Sequence, residues 1–417
     1  MKEEELYSIK DTNISLDMDI YQRAELFNQL WINQCKENKH LIYWVESNSR
    51  ISSRMNIFDI NEGLFKDVVS FVANDYLGMS GRDETIAAGI EAMRKYGTGA
   101  CAAPVIGGYL DIHKKLELKI ANFVGQEDSL IFSSGFGANT GVLNCLLGKN
   151  DIALIDSFVH TSVLDGLKGT NIKNIGHNDM EYLEMTLKNV QNLYTTKLVV
   201  VDGVYSQDGD LGLLPEISTL CKRYSAFLMV DDAHGIGVMG ENGRGTLEYY
   251  NMLGEVDIVT GTFSKSFGCV GGFAATSKEL VQYLRYYANT TMFSASVTPQ
   301  VTASVIKAIE LIEEDPSIRK RLWDNVEYLK SKLDEEGFDY KETKSPIFPI
   351  MIRHNFKAKE VAALLLKEGI YTNAICYPAV RNREARIRVG ILATHKKSDI
   401  NILLSALVKI NKTIQFT

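Results

Sequence analysis

The sequence predicts an α/β protein: a mainly parallel sheet covered by helices, followed by a smaller C-terminal α+β domain. Three observations carry this. From Val68 to about Ser294, short runs that are apolar throughout alternate with helix-like stretches, as in a parallel sheet buried on both faces. After Ser294 the alternation gives way to two long helical patterns and then to mixed short elements. A chain of 417 residues is also too long for one compact core, so a large domain with a smaller satellite is the natural division.

Residues 1–66 are mixed and polar, and Ala24, Leu26, Phe27, Leu30 and Trp31 predict an amphipathic helix over Tyr21–Trp31. Strands are expected at 129–133, 152–155, 197–201, 227–230, 257–260 and 272–276, with helices at 112–123, 180–190 and 216–224. Beyond them come helices at 301–314, 320–336, 358–368 and from 398, and short elements at 347–352, 371–377 and 385–392. The expected division is an N-terminal segment 1–66, a large domain 67–300 and a small domain 301–417.

Composition narrows the function. A net charge of -7 argues against a nucleic-acid binder. No apolar run is long enough to span a bilayer, and the first residues lack the apolar stretch of a secretory signal. Six cysteines show neither Cys-x-x-Cys nor zinc-ligand spacing, so no metal is expected; reduced, mostly buried thiols in a cytoplasmic protein are.

In open α/β sheets ligands bind beyond the carboxyl ends of the strands, and here strand after strand ends in polar residues. One apolar run ends in Asp231, Asp232 and His234. Another ends in Gly261-Thr262-Phe263-Ser264-Lys265-Ser266, where a partly desolvated lysine favours imine formation and two hydroxyls can donate to a phosphate. Ser134-Gly135-Phe136-Gly137 is a glycine-rich turn opening a helix, which offers backbone N–H groups to an anion. Asp156 to His160 places an imidazole at a further strand end. An aromatic aldehyde bearing a phosphate needs these parts together: amine, phosphate cradle, carboxylate for a ring nitrogen, and a stacking ring. Gly235-Ile-Gly237-Val-Met-Gly240 fits a dinucleotide fingerprint, but Glu-Asn-Gly-Arg-Gly follows it where a helix must open, so the match is taken as chance.

In this order the motifs closely resemble the α-oxoamine synthase family of fold-type-I pyridoxal-phosphate enzymes, over about Val72 to Ile410. They are Asn74-Asp-Tyr-Leu-Gly78, Ser134 to Asn139, His160, Asp202-Gly-Val-Tyr-Ser206, Asp231-Asp-Ala-His234, Gly-Thr-Phe-Ser-Lys265-Ser, Phe293-Ser-Ala-Ser, and Ala385-Arg-Ile-Arg388 with Thr394-His395. The lysine motif is most similar to the serine palmitoyltransferase branch. The resemblance implies that the sheet is of the seven-stranded type of that fold, and it implies decarboxylative condensation of an amino acid with an acyl thioester, carried by coenzyme A or a carrier protein, to an α-amino ketone of the 3-ketosphinganine type. It implies pyridoxal 5'-phosphate held by Lys265, with Asp231 at the pyridine nitrogen, His160 over the ring, and His234 and Ser206 at the ring hydroxyl. The phosphate falls to Ser134, the backbone at Gly135 and Phe136, Thr262 and Ser264, and, across a homodimer with shared active sites, Ser294. Asn74 and Arg388 are implied for the substrate carboxylate, Arg388 being preferred to Arg386, which is expected on the other sheet face. His113 and His395 are expected to be structural hydrogen-bonders, and His40, His177 and His354 surface residues.

One segment departs from the family. Gly97-Thr-Gly-Ala-Cys101-Ala-Ala103-Pro104 has Ala103 and Pro104 where a hydroxyl and an arginine are usual beside the amino-acid side chain. This leaves serine, cysteate, glycine and alanine open, and Gly108-Tyr109 is shared with the branch that makes the biotin precursor. An aminotransferase or β-eliminating enzyme of the same fold, and a non-catalytic subunit, are the alternatives; intact Lys265, Asp231 and His160 argue against the last.

Overall fold

The structure is a computed structural model and describes residues 17–416. The described residues divide into two compact units, one made of 74–206 and 210–321, the other of 17–73, 207–209 and 322–416.

The larger unit is built on seven strands: β1 (Asp128–Phe132), β2 (Ile152–Asp156), β3 (Asn171–Ile175), β4 (Lys197–Asp202), β5 (Phe227–Asp231), β6 (Ile258–Thr262) and β7 (Gly272–Thr276). Their order across the sheet is β1-β7-β6-β5-β4-β2-β3. The five strands β2 to β6 run parallel, and β7 is antiparallel to both β6 and β1. Every residue of β2, β4 and β7 is buried, which explains their unbroken apolar text. One core layer joins Leu130, Ala153, Val200 and Met229 of the sheet to Ala138 and Val142 of helix Gly135–Leu146 and Val281 of helix Lys278–Tyr287. Burial of each large side chain there is worth roughly 1.5–3 kcal/mol.

Strand β3 was not expected. It lies at the sheet edge with Ile172, Lys173 and Asn174 exposed, so its text, Asn-Ile-Lys-Asn-Ile, lacks the apolar signal of its neighbours. In the dinucleotide-like stretch, Gly237 and Gly240 take φ of +82° and +83° in a turn, and no helix begins before Thr246. The match is indeed accidental.

The smaller unit holds two three-stranded sheets. In one, Arg54–Asp59 pairs antiparallel with Leu64–Ser70, which pairs parallel with Ile370–Tyr371. In the other, Arg386–Gly390 lies between Ile347–Met351 and Asn373–Ile375. The unit breaks therefore fall at Ala73/Asn74 and Arg321/Leu322, whereas the sequence placed its divisions at 66/67 and 300/301. Two contacts account for the difference. The 64–70 strand is hydrogen-bonded to a C-terminal one, and helix Pro299–Glu314 packs on Asp83–Tyr96, where a Cβ at Gly89 would come 2.9 Å from Ser304 Oγ. Of the N-terminal segment, residues 1–16 lie outside the described residues. The expected amphipathic helix is Ile20–Phe27, capped by Asp19, and it continues through a π turn, Asn28–Ile32, to Asn33–Glu37, burying Trp31 and Cys35.

Among the described residues no helix is long and apolar enough to cross a membrane, and no cluster of three metal-binding side chains occurs. All six cysteines are free; Cys35 and Cys221 are buried, three are half-buried, and Cys101 is exposed.

Candidate active site

The parallel strands deliver their last residues to one edge of the sheet. Asp202 at the end of β4 lies in register with Asp231 at the end of β5, and Asp231 with Thr260 in β6. Past this edge a cavity of about 250 Å³ is lined by Ser134, Gly135, Phe136, Asn139, His160, Asp202, Ser206, Asp231, His234, Thr262, Ser264 and Lys265. Ten residues expected from the sequence to hold a cofactor thus come together within one unit.

Each wall has a local cause. Ser134 caps helix Gly135–Leu146, its Oγ accepting from the Gly137 N–H at 2.9 Å. The helix start reaches the end of β6 because position 135 has no side chain: a Cβ there would lie 2.8 Å from Thr262 Cβ. The hydroxyls of Thr262 and Ser264 are 2.8 Å apart, and Thr262 also donates to the Gly271 carbonyl at 3.0 Å. Helix N–H groups and two hydroxyls therefore share one corner, the donor set that suits a phosphate.

Opposite that corner, Asp231 is buried, its Oδ1 accepting from the Ala233 N–H at 3.1 Å and its Oδ2 from the Asn139 amide at 2.6 Å. Asn139 also donates to Ser162 Oγ at 2.9 Å, and Ser162 Oγ lies 2.8 Å from His160 Nδ1. The His160 pKa is lowered by desolvation in the cavity wall and by Lys265, against the pull of Asp231, so its ring is neutral near neutral pH and suited to stacking. The buried His234 Nδ1 stands 2.7 Å from Tyr76 Oη, which donates onward to Asn74 Oδ1 at 3.4 Å. Lys265 is half-buried at the cavity floor.

An amine, a buried carboxylate, an imidazole face and an anion cradle in one small cavity fit pyridoxal phosphate, and the space kept open at Gly135 is part of that fit. Three residues in the site escaped the sequence reading. Asn139 and Asp202 stood in recognised motifs without a role, and one helical turn between Gly135 and Asn139 is the signal that puts them on one side. Asp202 is buried, and one of its oxygens lacks a partner among the described residues. Burial, then the Asp231 carboxylate, push its pKa well up against the opposing pull of Lys265. Tyr76, the third, shows only as the partner of His234.

Four expected residues stand outside the cavity lining, Asn74 next to Tyr76 and three others farther along the chain. Ala103 and Ser294 are half-buried on adjoining segments, where the Ala102 carbonyl accepts from the Ser296 N–H at 3.1 Å, and neither lines the lysine cavity. Arg388 belongs to the smaller unit, in register with Pro349 and Asn373. The reason given for preferring it needs correction: residues two apart on a strand share a face, so Arg386 does not turn away from it. What distinguishes Arg386 is its near-complete burial and its bonds to Asp208 Oδ1 and Glu384 Oε2, both at 2.8 Å. His113 and His395 are structural as expected, bonded to the Val297 carbonyl at 2.7 Å and the Ser70 carbonyl at 2.9 Å. His40 is not on the surface but buried, His177 is half-buried between two carboxylates, and His354 caps a helix.

Comparison with known proteins agrees with this geometry. Residues 66–407 match the family model for aminotransferase class I and II. A serine palmitoyltransferase of Sphingobacterium spiritivorum is 41% identical over 349 residues, covering 83% of this chain and 87% of that enzyme. An 8-amino-7-oxononanoate synthase of Thermoanaerobacter pseudethanolicus is 40% identical over 351 residues, covering 84% and 89%. Among solved structures, the Sphingomonas wittichii serine palmitoyltransferase superposes with a TM-score of 0.88 at 29% identity, over 95% of this chain and 99% of that one. A high-resolution serine palmitoyltransferase structure with pyridoxal phosphate has the same TM-score and identity, over 96% of this chain and all of the other. The chain belongs to the aminotransferase class I and II family of fold-type-I pyridoxal-phosphate enzymes and, within it, to the α-oxoamine synthases, acyltransferases that work through that cofactor.

Proposed function

We propose that this enzyme condenses an α-amino acid with a long-chain acyl thioester, with loss of CO₂, to an α-amino ketone of the 3-ketosphinganine type. The observation that carries the reading is the single cavity uniting Lys265, Asp231, His160 and the Thr262–Ser264 corner. Likeness to serine palmitoyltransferase along nearly the whole chain, and Ser264 within the lysine motif, support the choice of branch.

When bound, pyridoxal phosphate supplies an electron sink for negative charge developing at the amino-acid Cα. Lys265 holds it through the ε-amine and carries the proton from and back to Cα. Asp231, fixed by Asn139, keeps a proton on the ring nitrogen. His234 and Ser206 contact the ring hydroxyl, His160 covers one ring face, and Ser134, Gly135, Phe136, Thr262 and Ser264 take the phosphate. Ser294 serves the phosphate of the second subunit in a homodimer, and Asn74 and Arg388 take the substrate carboxylate. A carbon–carbon bond forms between Cα and the acyl carbonyl carbon, the carbon–sulfur bond breaks and the leaving thiolate takes a proton from solvent, CO₂ departs, and the proton on Lys265 returns to Cα. The free thiols suit the cytoplasm.

A second reading replaces serine with cysteate, glycine or alanine. Ala103 and Pro104 favour it, because they offer neither a hydroxyl nor a charge in the segment that borders the amino-acid side chain in this family. Titrating the holoenzyme with each of the four amino acids while following its visible spectrum separates the readings, followed by thiol and CO₂ release from palmitoyl-coenzyme A and from an acyl carrier-protein thioester. Serine acting at the lowest concentration supports the first reading and another amino acid the second. Release of a keto acid without thioester consumption would sink both.

A further inference from the structure

His177 has no part in the chemistry above, yet it occupies a built position beneath it. Its Nδ1 lies 3.0 Å from Asp156 Oδ1 and its Nε2 lies 2.7 Å from Asp210 Oδ2. A neutral imidazole has one N–H, so two ring nitrogens directed at two carboxylates require the imidazolium. The ring is stacked on Phe158, with centroids 4.3 Å apart, and meets Tyr205 edge-on at 4.5 Å. Asn178 repeats the link: its N–H donates to Asp156 Oδ2 at 2.9 Å and its amide to the Leu211 carbonyl at 3.1 Å.

The two carboxylates belong to the two segments that carry site residues. Asp156 ends β2 and is followed by the turn that delivers His160, Asp156 Oδ1 accepting from the Phe158 N–H at 2.8 Å. Asp210 closes the segment after β4, where the Tyr205 N–H donates to the Asp210 carbonyl at 3.0 Å beside Ser206. The Ser206 segment is largely buried, and the two segments also meet where the His160 N–H donates to the Asp202 carboxylate at the end of β4, so the imidazolium adds a second tie to an existing one.

We propose that His177 is a positioning residue: its imidazolium clasps the His160 turn to the Ser206 segment and so holds the two groups that grip the cofactor ring. The proposal rests on the assignment of His160 and Ser206 to that ring and is independent of which amino acid is used. The titratable groups facing the imidazole are Asp156, Asp210 and Tyr205, and Asp202 interacts with Asp156. Tyr205 stays neutral, since burial and the Asp156 and Asp202 carboxylates push its pKa well up. Burial pulls the His177 pKa down, but the hydrogen bonds it donates to Asp156 and Asp210 outweigh that and lift the group to about 9. A raised histidine stabilises fully below its unfolded value, ~6.5, and loses its contribution as pH rises through about 9.

The test is the dissociation constant of pyridoxal phosphate from the wild type, His177→Asn and Asp210→Asn, measured on the apoprotein by tryptophan quenching from about pH 7 to 10. The His177 titration is followed in parallel by imidazole NMR. His177→Asn should bind the cofactor ~10-fold or more weakly at neutral pH, the scale of a lost charge-assisted hydrogen bond, and should lack the alkaline weakening. Asp210→Asn, at the protein rim, should lower the His177 titration and move the alkaline limb of cofactor binding down with it. Wild-type affinity in His177→Asn would overturn the clasp, as would a binding profile that stays put in Asp210→Asn while the His177 titration moves. If His177→Asn does not fold, the Asp210→Asn comparison decides alone. His160→Ala is measured beside them, and unchanged affinity there would overturn the ring assignment together with the clasp.

Discussion

The side-chain amide of Asn139 stands 2.6 Å from the Asp231 carboxylate, and its carbonyl accepts from Thr260 at 2.7 Å. Thr260 thereby fixes which end of the amide faces Asp231, so a donor is always presented to the carboxylate. The same nitrogen reaches Ser162 and through it His160, which ties the carboxylate proposed for the ring nitrogen to the imidazole proposed for the ring face.

Asn139→Ala should therefore weaken cofactor binding more than it disturbs the fold. Loss of one hydrogen bond to a buried charged group costs about 1.5–3 kcal/mol, or roughly 10- to 100-fold in the dissociation constant. Equilibrium binding of pyridoxal phosphate to the apoprotein measures it; unchanged affinity would separate Asn139 from the site.

Lys265→Ala should abolish both the visible absorbance of the lysine-bound cofactor and turnover. The proton transfers assigned to this amine are worth at least ~10²–10⁴-fold in rate. Retained turnover would remove Lys265 from the mechanism.

Gly135→Ala tests the phosphate corner. The new methyl would sit 2.8 Å from Thr262 Cβ, so either the helix start or the end of β6 must shift. Overpacking of this kind costs about 1–3 kcal/mol. The expected outcome is weaker binding of pyridoxal phosphate with binding of the dephosphorylated aldehyde reduced less; equal losses for the two would show that the helix start does not meet the phosphate.

How much of this was legible in the text depends on where each element lies. β4, with every position buried, is readable from Leu-Val-Val-Val alone, while the edge strand β3 is not, because solvent tolerates its lysine and asparagines. Lys265, Asp231 and His160 were legible because each ends or follows a buried strand. Asn139 and Tyr76 were not assigned roles, because a buried hydrogen bond between distant residues leaves no periodic trace. His177 was misjudged for a related reason: its partners Asp156 and Asp210 are 21 and 33 residues away. The unit boundaries depend on a pairing between 64–70 and 370–371, which no local pattern encodes.

Arg386 and Arg388 provide a paired test on one strand. Arg386 is nearly fully buried with Asp208 and Glu384, and breaking such a pair by removing one partner costs about 3–5 kcal/mol. Arg386→Met should lower thermal stability sharply, whereas Arg388→Lys should fold normally and raise the amino-acid KM. The reverse pattern in calorimetry and kinetics would exchange the two assignments.

Asp232 lowers the stability of the fold as pH rises from the acid range to neutrality. It is almost wholly buried beside Asp231, its Oδ2 accepts from the Thr246 N–H at 2.8 Å, and its Oδ1 has no partner among the described residues. Burial lifts its pKa to about 7 against the pull of the Thr246 bonds. A carboxyl whose folded pKa exceeds its unfolded one binds its proton more tightly in the folded state, so its penalty grows as pH rises from ~4 and levels off above about 7. Asp232→Asn keeps an oxygen for Thr246 and removes the ionisation. The variant should gain on the wild type by about 2–3 kcal/mol more at pH 8 than at pH 5, since two units of differential titration lie between those conditions at ~1.4 kcal/mol each. Denaturant unfolding of the apoproteins at both pH values measures this; a gap that does not widen with pH would place the Asp232 titration outside that window.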